Sequence, residues 1–402
     1  MLPLGEAQAR LLAGARPLLA EAVELSQAAG RYLAHDIAAR LTQPPFAASA
    51  MDGYAIRWGD LPGPWRVIGE SAAGSGWQGE VSAGEAVRIF TGAPLPHGTD
   101  TVIVQEDVSR DGELLRLTRD GPPHRGAHIR QAGLDFQAGQ SLLRAGVRLS
   151  SATIGLCAAA GHGAVDVRRQ PKVAILSTGD ELVPPGDIPG PDQIVSSNGV
   201  LLSSLIRDAG GIPIDLGIVR DDREAISEAL RKAASCDLFV TVGGASVGDR
   251  DLVVPGLEDA GAAIDFWKIA IRPGKPMLAG RLGDTRVIGL PGNPVSAFVC
   301  AVLFVLPLLR AWQGDPAPVP APVSARTATA LPANGPRQDH MRARLAAGPD
   351  GLSVEAARVQ DSSMLSVLAS SNALIVRPPG APAAPAGERV PVLTLDSFKL
   401  EN

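Results

Sequence analysis

The sequence predicts a multidomain chain of α/β plus all-β class, and three observations carry that expectation. The chain has 402 residues, more than one hydrophobic core serves, so two to four domains are expected. Between 171 and 310, apolar strands alternate with helical stretches, the pattern of a parallel sheet covered on both faces. On either side, 46–136 and 324–402 break into short apolar and polar runs punctuated by Gly, Pro and Asp, as all-β modules do.

Taken in order, residues 6–40 read as two helices, with apolar residues at helical spacing in EAQARLLAGARPLLA and again in VELSQAAGRYLAHDI. Pro44-Pro45 ends that region. The runs WRVIGE, EAVRIF, DTVIVQEDV and LLRLT then predict short strands joined by long loops. A mixed stretch follows over 137–168, with a small-residue helix near 152–160. Within 171–310 the strands KVAILS, IPIDLGIV, DLFVTV and RVIGL alternate with helices at 198–209, 222–234, 250–260 and 294–310. GDPAPVPAPV, at 314–323, is a semi-rigid proline-rich connector. Beyond it SVEAARV, NALIVRP and RVPVLTL predict a small β-barrel or sandwich.

Composition narrows the function. With 45% hydrophobic and 20% charged residues the chain has a globular balance rather than a disordered one. A net charge of −5 argues against a generic nucleic-acid binder. The start, MLPLGEAQARLLAGA, lacks a basic segment followed by a long apolar run, so a cytoplasmic protein is expected. The most apolar stretch, 294–309, is shorter than a membrane span and contains Pro307, which predicts a buried core helix and no membrane partner. Cys157, Cys236 and Cys300 are far apart in apolar surroundings and read as buried reduced thiols. His124 and His128 share a loop-like GPPHRGAH segment, so a histidine metal site is not expected.

The unusual residues of 171–310 fall where strands end, and open α/β sheets bind ligands beyond those carboxyl ends. Thr178-Gly179-Asp180-Glu181 follows the first strand, Arg220-Asp221-Asp222 the second, the segment from Gly243 to Asp251 the third, and Pro291-Gly292-Asn293-Pro294 the fourth. The glycines of 243–248 permit positive φ and close backbone approach, which suits a phosphate cradle; a plain turn fits the bare loop as well. No Gly-Lys-Ser/Thr follows, so it is not a P-loop. Glu181, Asp221, Asp222, Asp249 and Asp251 would repel one another at one sheet edge unless a cation joined them, and Mg²⁺ suits such a set. Singly, each also fits as a helix N-cap or a solvated loop acid. Lys268, Arg272 and Lys275 in WKIAIRPGKP form a basic strip for an oxyanion or phosphate, or else a surface charge run. The Pro291–Pro294 turn fits both a structural and an anion-binding reading.

One ordered series runs through nearly the whole chain. It comprises SAMDGYA (49–55), RIFTGAPLP (88–96), GLD (133–135), STGDEL (177–182), Asn198-Gly199 and GIVRDD (217–222), then GGASVGDRD (243–251), RPGKP (272–276), GLPGNPVSAF (289–298) and SSMLSVLASSNALIV (362–376). This series resembles the molybdopterin molybdenumtransferase (MoeA) family, to which the C-terminal domain of gephyrin also belongs. The resemblance implies an elongated homodimer with a discontinuous helical domain (1–43 and 137–168) and an inserted β-rich domain (44–136). It further implies a central doubly wound three-layer α/β domain of MogA-like type (169–313) and a C-terminal β-barrel (314–402).

The implied reaction is molybdenum insertion: adenylylated molybdopterin and molybdate give molybdenum cofactor and AMP, with Mg²⁺. The resemblance assigns metal handling and phosphoanhydride hydrolysis to Glu181, Asp221 and Asp251. Asp52, Thr91 and Asp135 would come from the inserted module of the partner subunit, closing the cleft. Gly243, Gly244, Ser246, Pro291, Gly292 and Asn293 fall on the substrate side of this scheme. Lys268, Arg272, Lys275 and Ser296 would bind molybdate or phosphate, with Arg342, Ser362 and Ser363 as further anion ligands. Contacts with the molybdopterin adenylyltransferase and with cofactor-accepting enzymes are implied as well. Two departures stand out: Arg272 occupies a position where the family commonly has Lys, and Leu134 replaces a usual Glu. The rivals are an adenylyltransferase, which accounts for 171–310 alone, and a gephyrin-like scaffold without turnover, whose expected loss of the acidic residues is not seen.

Overall fold

The computed structural model describes residues 1–220, 222–243 and 253–395. They form two compact units, one of Met1–Glu21, Gly30–Ala34 and Asp166–Asn402, the other of Ala22–Ala29 and His35–Val165.

The first unit holds a six-stranded sheet whose spatial order is Ile212–Val219, Lys172–Thr178, Leu238–Val242, Thr285–Leu290, Pro276–Leu282 and Ala263–Lys268. The first four run parallel, as the alternation of strands and helices predicts. The last two are antiparallel, which the sequence reading did not anticipate. Their connections are the reason. Leu282 pairs with Thr285 across two residues, and a parallel return needs a crossover of a dozen or more.

Alternate residues of each strand face opposite layers. Val173 and Ile175 join Val240 and Ile288 under Ala7, Leu11, Leu202, Ile206 and the helical run from Val295 to Trp312. Ala174 and Leu176 join Phe239 and Val287 under Ile226, Leu230 and Leu257 on the other side. The result is three layers. The apolar run itself is Pro294–Cys300 as α-helix, Ala301–Val305 as a π-turn and Leu306–Trp312 as α-helix again. Pro307 has no N–H, and its ring opposes the carbonyl four residues back. The π-turn precedes it, and Gln8 Nε2 donates to that Leu303 carbonyl at 2.8 Å. Although Pro294–Trp312 is long and apolar enough to cross a membrane, Val295, Phe304 and Leu308 are fully buried in the protein core.

The expected second helix of 6–40 is absent. Only Leu4–Leu12 is α-helical; Ala20–Glu24 is a strand in a two-stranded sheet with Ala164–Arg168, followed by a 3₁₀ turn at Leu25–Gln27. Backbone partners far along the chain override the local periodicity: Leu25 N–H donates to the Gly163 carbonyl, and Ala34 N–H to that of Asp166. Gly30, at φ +75°, makes a turn that no helix interior accepts.

The C-terminal strands close into a ring. Gln338–Gly348 pairs with Gly351–Ala356, which pairs in turn with Val323–Thr327, then Arg389–Thr394, then Ala373–Arg377, which returns to Gln338–Gly348. Ala325, Leu345, Val354, Ile375 and Val392 fill it. It is a barrel rather than a sandwich. A two-residue strand, Ile271–Arg272, adds to its rim beside Gln338 and Asp339.

The second unit contains the predicted all-β module, a six-stranded sheet ordered Thr101–Val104, Gly53–Ile56, Glu85–Ile89, Trp65–Ser71, Leu114–Leu117 and Val108–Asp111. Tyr54, Ile56, Trp65 and Leu115 cover one face, Ala55, Ile89 and Val102 the other. A nine-residue helix, Ser151–Ala159, lies in the expected place and is capped by the Ser150–Thr153 box. All three cysteines are free and buried, as expected.

Candidate functional site

A cleft of about 590 Å³ opens in the first unit beyond the carboxyl ends of the Lys172–Thr178, Leu238–Val242 and Thr285–Leu290 strands. Its floor depends on glycine. Gly243 sits at φ +88°, and a Cβ there would lie 2.6 Å from the Thr178 carbonyl oxygen. A Cβ on Gly292 would face the Gly243 Cα at 3.8 Å. That second distance is ordinary contact, so it is at Gly243 that backbone lies open to a ligand where a side chain would crowd it.

Neutral polar side chains line the wall. Asn198 Nδ2 donates to the Gly292 carbonyl at 2.8 Å, pinning the turn after the fourth strand. Asn293 Nδ2 donates to Ser362 Oγ at 3.2 Å, and the Ser362 carbonyl accepts from Val295 N at 3.1 Å. Ser363, also in the lining, donates its hydroxyl and amide to Asp361 Oδ1 at 2.6 and 2.8 Å. These two bonds, the hydroxyl first, hold the Asp361 carboxyl below its usual range. Thr178 Oγ1 and Asn198 Oδ1 are buried without a protein partner, leaving acceptor capacity at the cleft.

Glu181 is exposed at the cleft, and its Oε2 lies 2.6 Å from where a Cβ on Gly179 would stand. Of the acids that the resemblance assigns to a cation, it alone is described; Asp221 and Asp251 lie outside the described residues, as do Gly244, Ser246 and Asp249. Among the described residues no three His, Cys, Asp or Glu side chains are grouped for a metal. Asp222 is a helix N-cap, accepting from Ala225 N at 2.9 Å. Its structural reading holds.

The basic strip lies apart from the lining just named. Lys268 and Lys275 are exposed at the two ends of a turn that Ile269 N–H closes on the Lys275 carbonyl at 2.9 Å. Arg272 is engaged by Asp339, its Nε donating to Oδ2 at 2.9 Å and its Nη2 to the same oxygen. That carboxylate raises the Arg272 pKa above its ordinary value. Arg342 is fully buried on the barrel, where burial pushes its pKa down; Nη2 donates to the Asp361 carbonyl at 3.2 Å and Nε has no protein partner. Ser296 is buried too.

In the second unit the structure brings Asp52 and Thr91 together. Asp52 Oδ1 accepts from Thr91 N and Thr91 Oγ1, both at 2.8 Å. The amide first and then the hydroxyl hold the Asp52 carboxyl below the usual range. Asp135 is exposed two residues after Gly133, which sits at φ +71°, and its N–H donates to the Gln43 carbonyl at 3.0 Å.

Ser177, Ser196 and Ser197 also line the cleft, beyond the site residues that the sequence predicts. Ser196 and Ser197 did carry a signal, since two hydroxyl residues stand directly before the Asn198–Asp208 helix. Ser177 is a small polar residue that follows the apolar run Val173–Leu176 of its strand.

Comparison with known proteins matches three successive stretches of the chain. Residues 2–161 match the family described as MoeA N-terminal region (domain I and II). Residues 174–311 match the probable molybdopterin binding domain, and 324–395 the MoeA C-terminal region (domain IV). The molybdopterin molybdenumtransferase of Haemophilus influenzae is 37% identical, with 98% of each chain covered. That of Bacillus subtilis is 32% identical over 98% of this chain and 94% of its own. The crystal structure of the molybdopterin biosynthesis moeA protein from Pyrococcus horikoshii OT3 superposes with a TM-score of 0.83 at 30% identity, covering 98% of this chain and all of that one. The chain belongs to the molybdopterin molybdenumtransferase family.

Proposed function

We propose that this protein inserts molybdenum from molybdate into adenylylated molybdopterin, releasing AMP and molybdenum cofactor. The observation that carries the reading is the glycine-floored cleft at the sheet's carboxyl edge, in a chain matched along its length by molybdenumtransferases. About 590 Å³ suits a nucleotide-sized ligand. In this reading Gly243 and Gly292 admit the phosphates to bare backbone. Asn293, Ser362 and Ser363 fix the opposite wall, and Pro291 stiffens the turn.

Glu181 is the described carboxylate that would help hold Mg²⁺, together with Asp221 and Asp251. Hard oxygen donors and substrate phosphate oxygens are the set that this cation prefers. When bound, Mg²⁺ supplies positive charge for the leaving phosphate. Lys268 and Lys275 are the exposed cations for molybdate or phosphate. Arg272 and Arg342 support the same anion from within their bonds to Asp339 and to the Asp361 carbonyl.

The reading includes a homodimer in which Asp52, Thr91 and Asp135 serve the partner subunit. An unpaired edge strand, Ile212–Val219, with Ile212 and Ile214 exposed, supports self-association. Buried free thiols at Cys157, Cys236 and Cys300 suit a cytoplasmic setting. The deciding experiment supplies purified protein with adenylylated molybdopterin, Mg²⁺ and molybdate. AMP release should require molybdate. Release at the same rate without it defeats the proposal, and adenylylation of molybdopterin from ATP would favour the adenylyltransferase reading instead.

A further inference from the structure

Around Asp52 the second unit builds a further layer of contacts centred on Arg88. This half-buried residue stands on the Glu85–Ile89 strand directly across from Tyr54. Its guanidinium carbon lies 5.1 Å from the Tyr54 ring centroid and 4.7 Å from that of Phe90. The two rings hold the cation by their negative faces. From that seat Nη1 donates to the Gly53 carbonyl at 3.0 Å, and Nη2 donates to Gln105 Oε1 at 2.7 Å. Gln105 in turn donates its backbone N–H to the Asp52 carbonyl at 3.1 Å. On the other side, Ser49 Oγ donates to the Met51 carbonyl at 2.6 Å.

Asp52 is thus fixed at three successive peptides while its carboxylate is received by Thr91. We propose that Arg88 is a positioning residue for Asp52, clamping the Gly53 carbonyl and Gln105 so that the carboxylate keeps its direction during molybdenum transfer. This rests on the role proposed above for Asp52. The chemistry asks for arginine: one planar group must stack between two rings and reach two acceptors of different kinds. A lysine gathers its donors on one nitrogen and has no plane to stack, so it does not do both at once. An arginine serving only solubility would need none of these contacts.

The test uses the full chain with adenylylated molybdopterin, molybdate and Mg²⁺, comparing wild type, Asp52→Asn, Arg88→Met, Arg88→Lys and the Asp52→Asn/Arg88→Met pair. Arg88→Met should lower kcat by about 10- to 100-fold with little change in KM, as a misdirected group does. Arg88→Lys should fold as wild type yet recover only part of kcat. In the Asp52→Asn background, Arg88→Met should add less than about a twofold loss, because coupled residues are not additive. The acid limb of the kcat profile should also move to higher pH in Arg88→Met and stay in place in Arg88→Lys, which keeps the cation. Unchanged kcat in Arg88→Met, full recovery in Arg88→Lys, or an equal loss with and without Asp52 overturns the proposal. A fully active Asp52→Asn instead removes the Asp52 role itself, whatever Arg88 does.

Discussion

Asn293 and Ser362 join the start of the helix behind the cleft to the loop leaving the barrel, through one side-chain bond of 3.2 Å and a backbone bond beside it. Asn293 stands at the N-cap position of its helix, yet its side chain makes no cap bond and reaches the serine instead. Asn293→Ala leaves the helix intact and loosens that wall. A neutral hydrogen bond is worth about 1 kcal/mol, so affinity for AMP, measured by titration calorimetry, should fall about 2- to 10-fold. Unchanged affinity means that the wall does not position the nucleotide.

Gln8 matters for stability rather than chemistry. It gives the Leu303 carbonyl a donor that Pro307 cannot supply, deep in the core. Gln8→Leu keeps the volume and removes the donor, so unfolding free energy should drop by about 1–3 kcal/mol, the cost of an orphaned buried acceptor. Urea denaturation reads this directly, and an unchanged midpoint would show that the π-turn satisfies the carbonyl unaided.

His340 is fully buried on the barrel, and burial lowers its pKa to about 4 against a weaker opposing pull from Asp339. Its depressed value lies below the unfolded one, so the unfolded chain binds the proton first as pH falls. Stability should therefore decline from about pH 6.5 toward pH 4, by as much as about 3 kcal/mol from this residue. His340→Gln should flatten the slope of stability against pH in that window. An identical slope in both proteins would assign the acid sensitivity elsewhere.

Gly243 should tolerate no side chain. Alanine there would hold an unfavourable φ and press its Cβ onto the Thr178 carbonyl. Gly243→Ala should cost about 1–2 kcal/mol in stability from backbone strain and abolish turnover, whereas a wild-type rate would move the phosphates off this floor.

Much of the site was legible because its parts sit where a strand pattern stops. Thr178, Glu181, Gly243, Gly292 and Asn293 each follow an apolar run, and a parallel sheet gathers such endings at one edge. What stayed hidden depends on partners distant in sequence. Arg272 meets Asp339 across 67 positions, a distance over which spacing carries no signal. The helix expected at 23–37 fails for the same reason, since its backbone is claimed by residues 163–168. The antiparallel edge stayed hidden because neither Ala263–Lys268 nor Pro276–Leu282 is among the apolar strands that the sequence predicts.

The segment bearing Lys268, Arg272 and Lys275 belongs to two sheets at once. Ala263–Lys268 ends on the α/β sheet, and Ile271–Arg272 begins on the barrel rim after two residues. So short a tether has no slack to absorb displacement. Lys268 and Arg272 therefore keep a fixed spacing, set by the sheet at one end and by the barrel rim at the other.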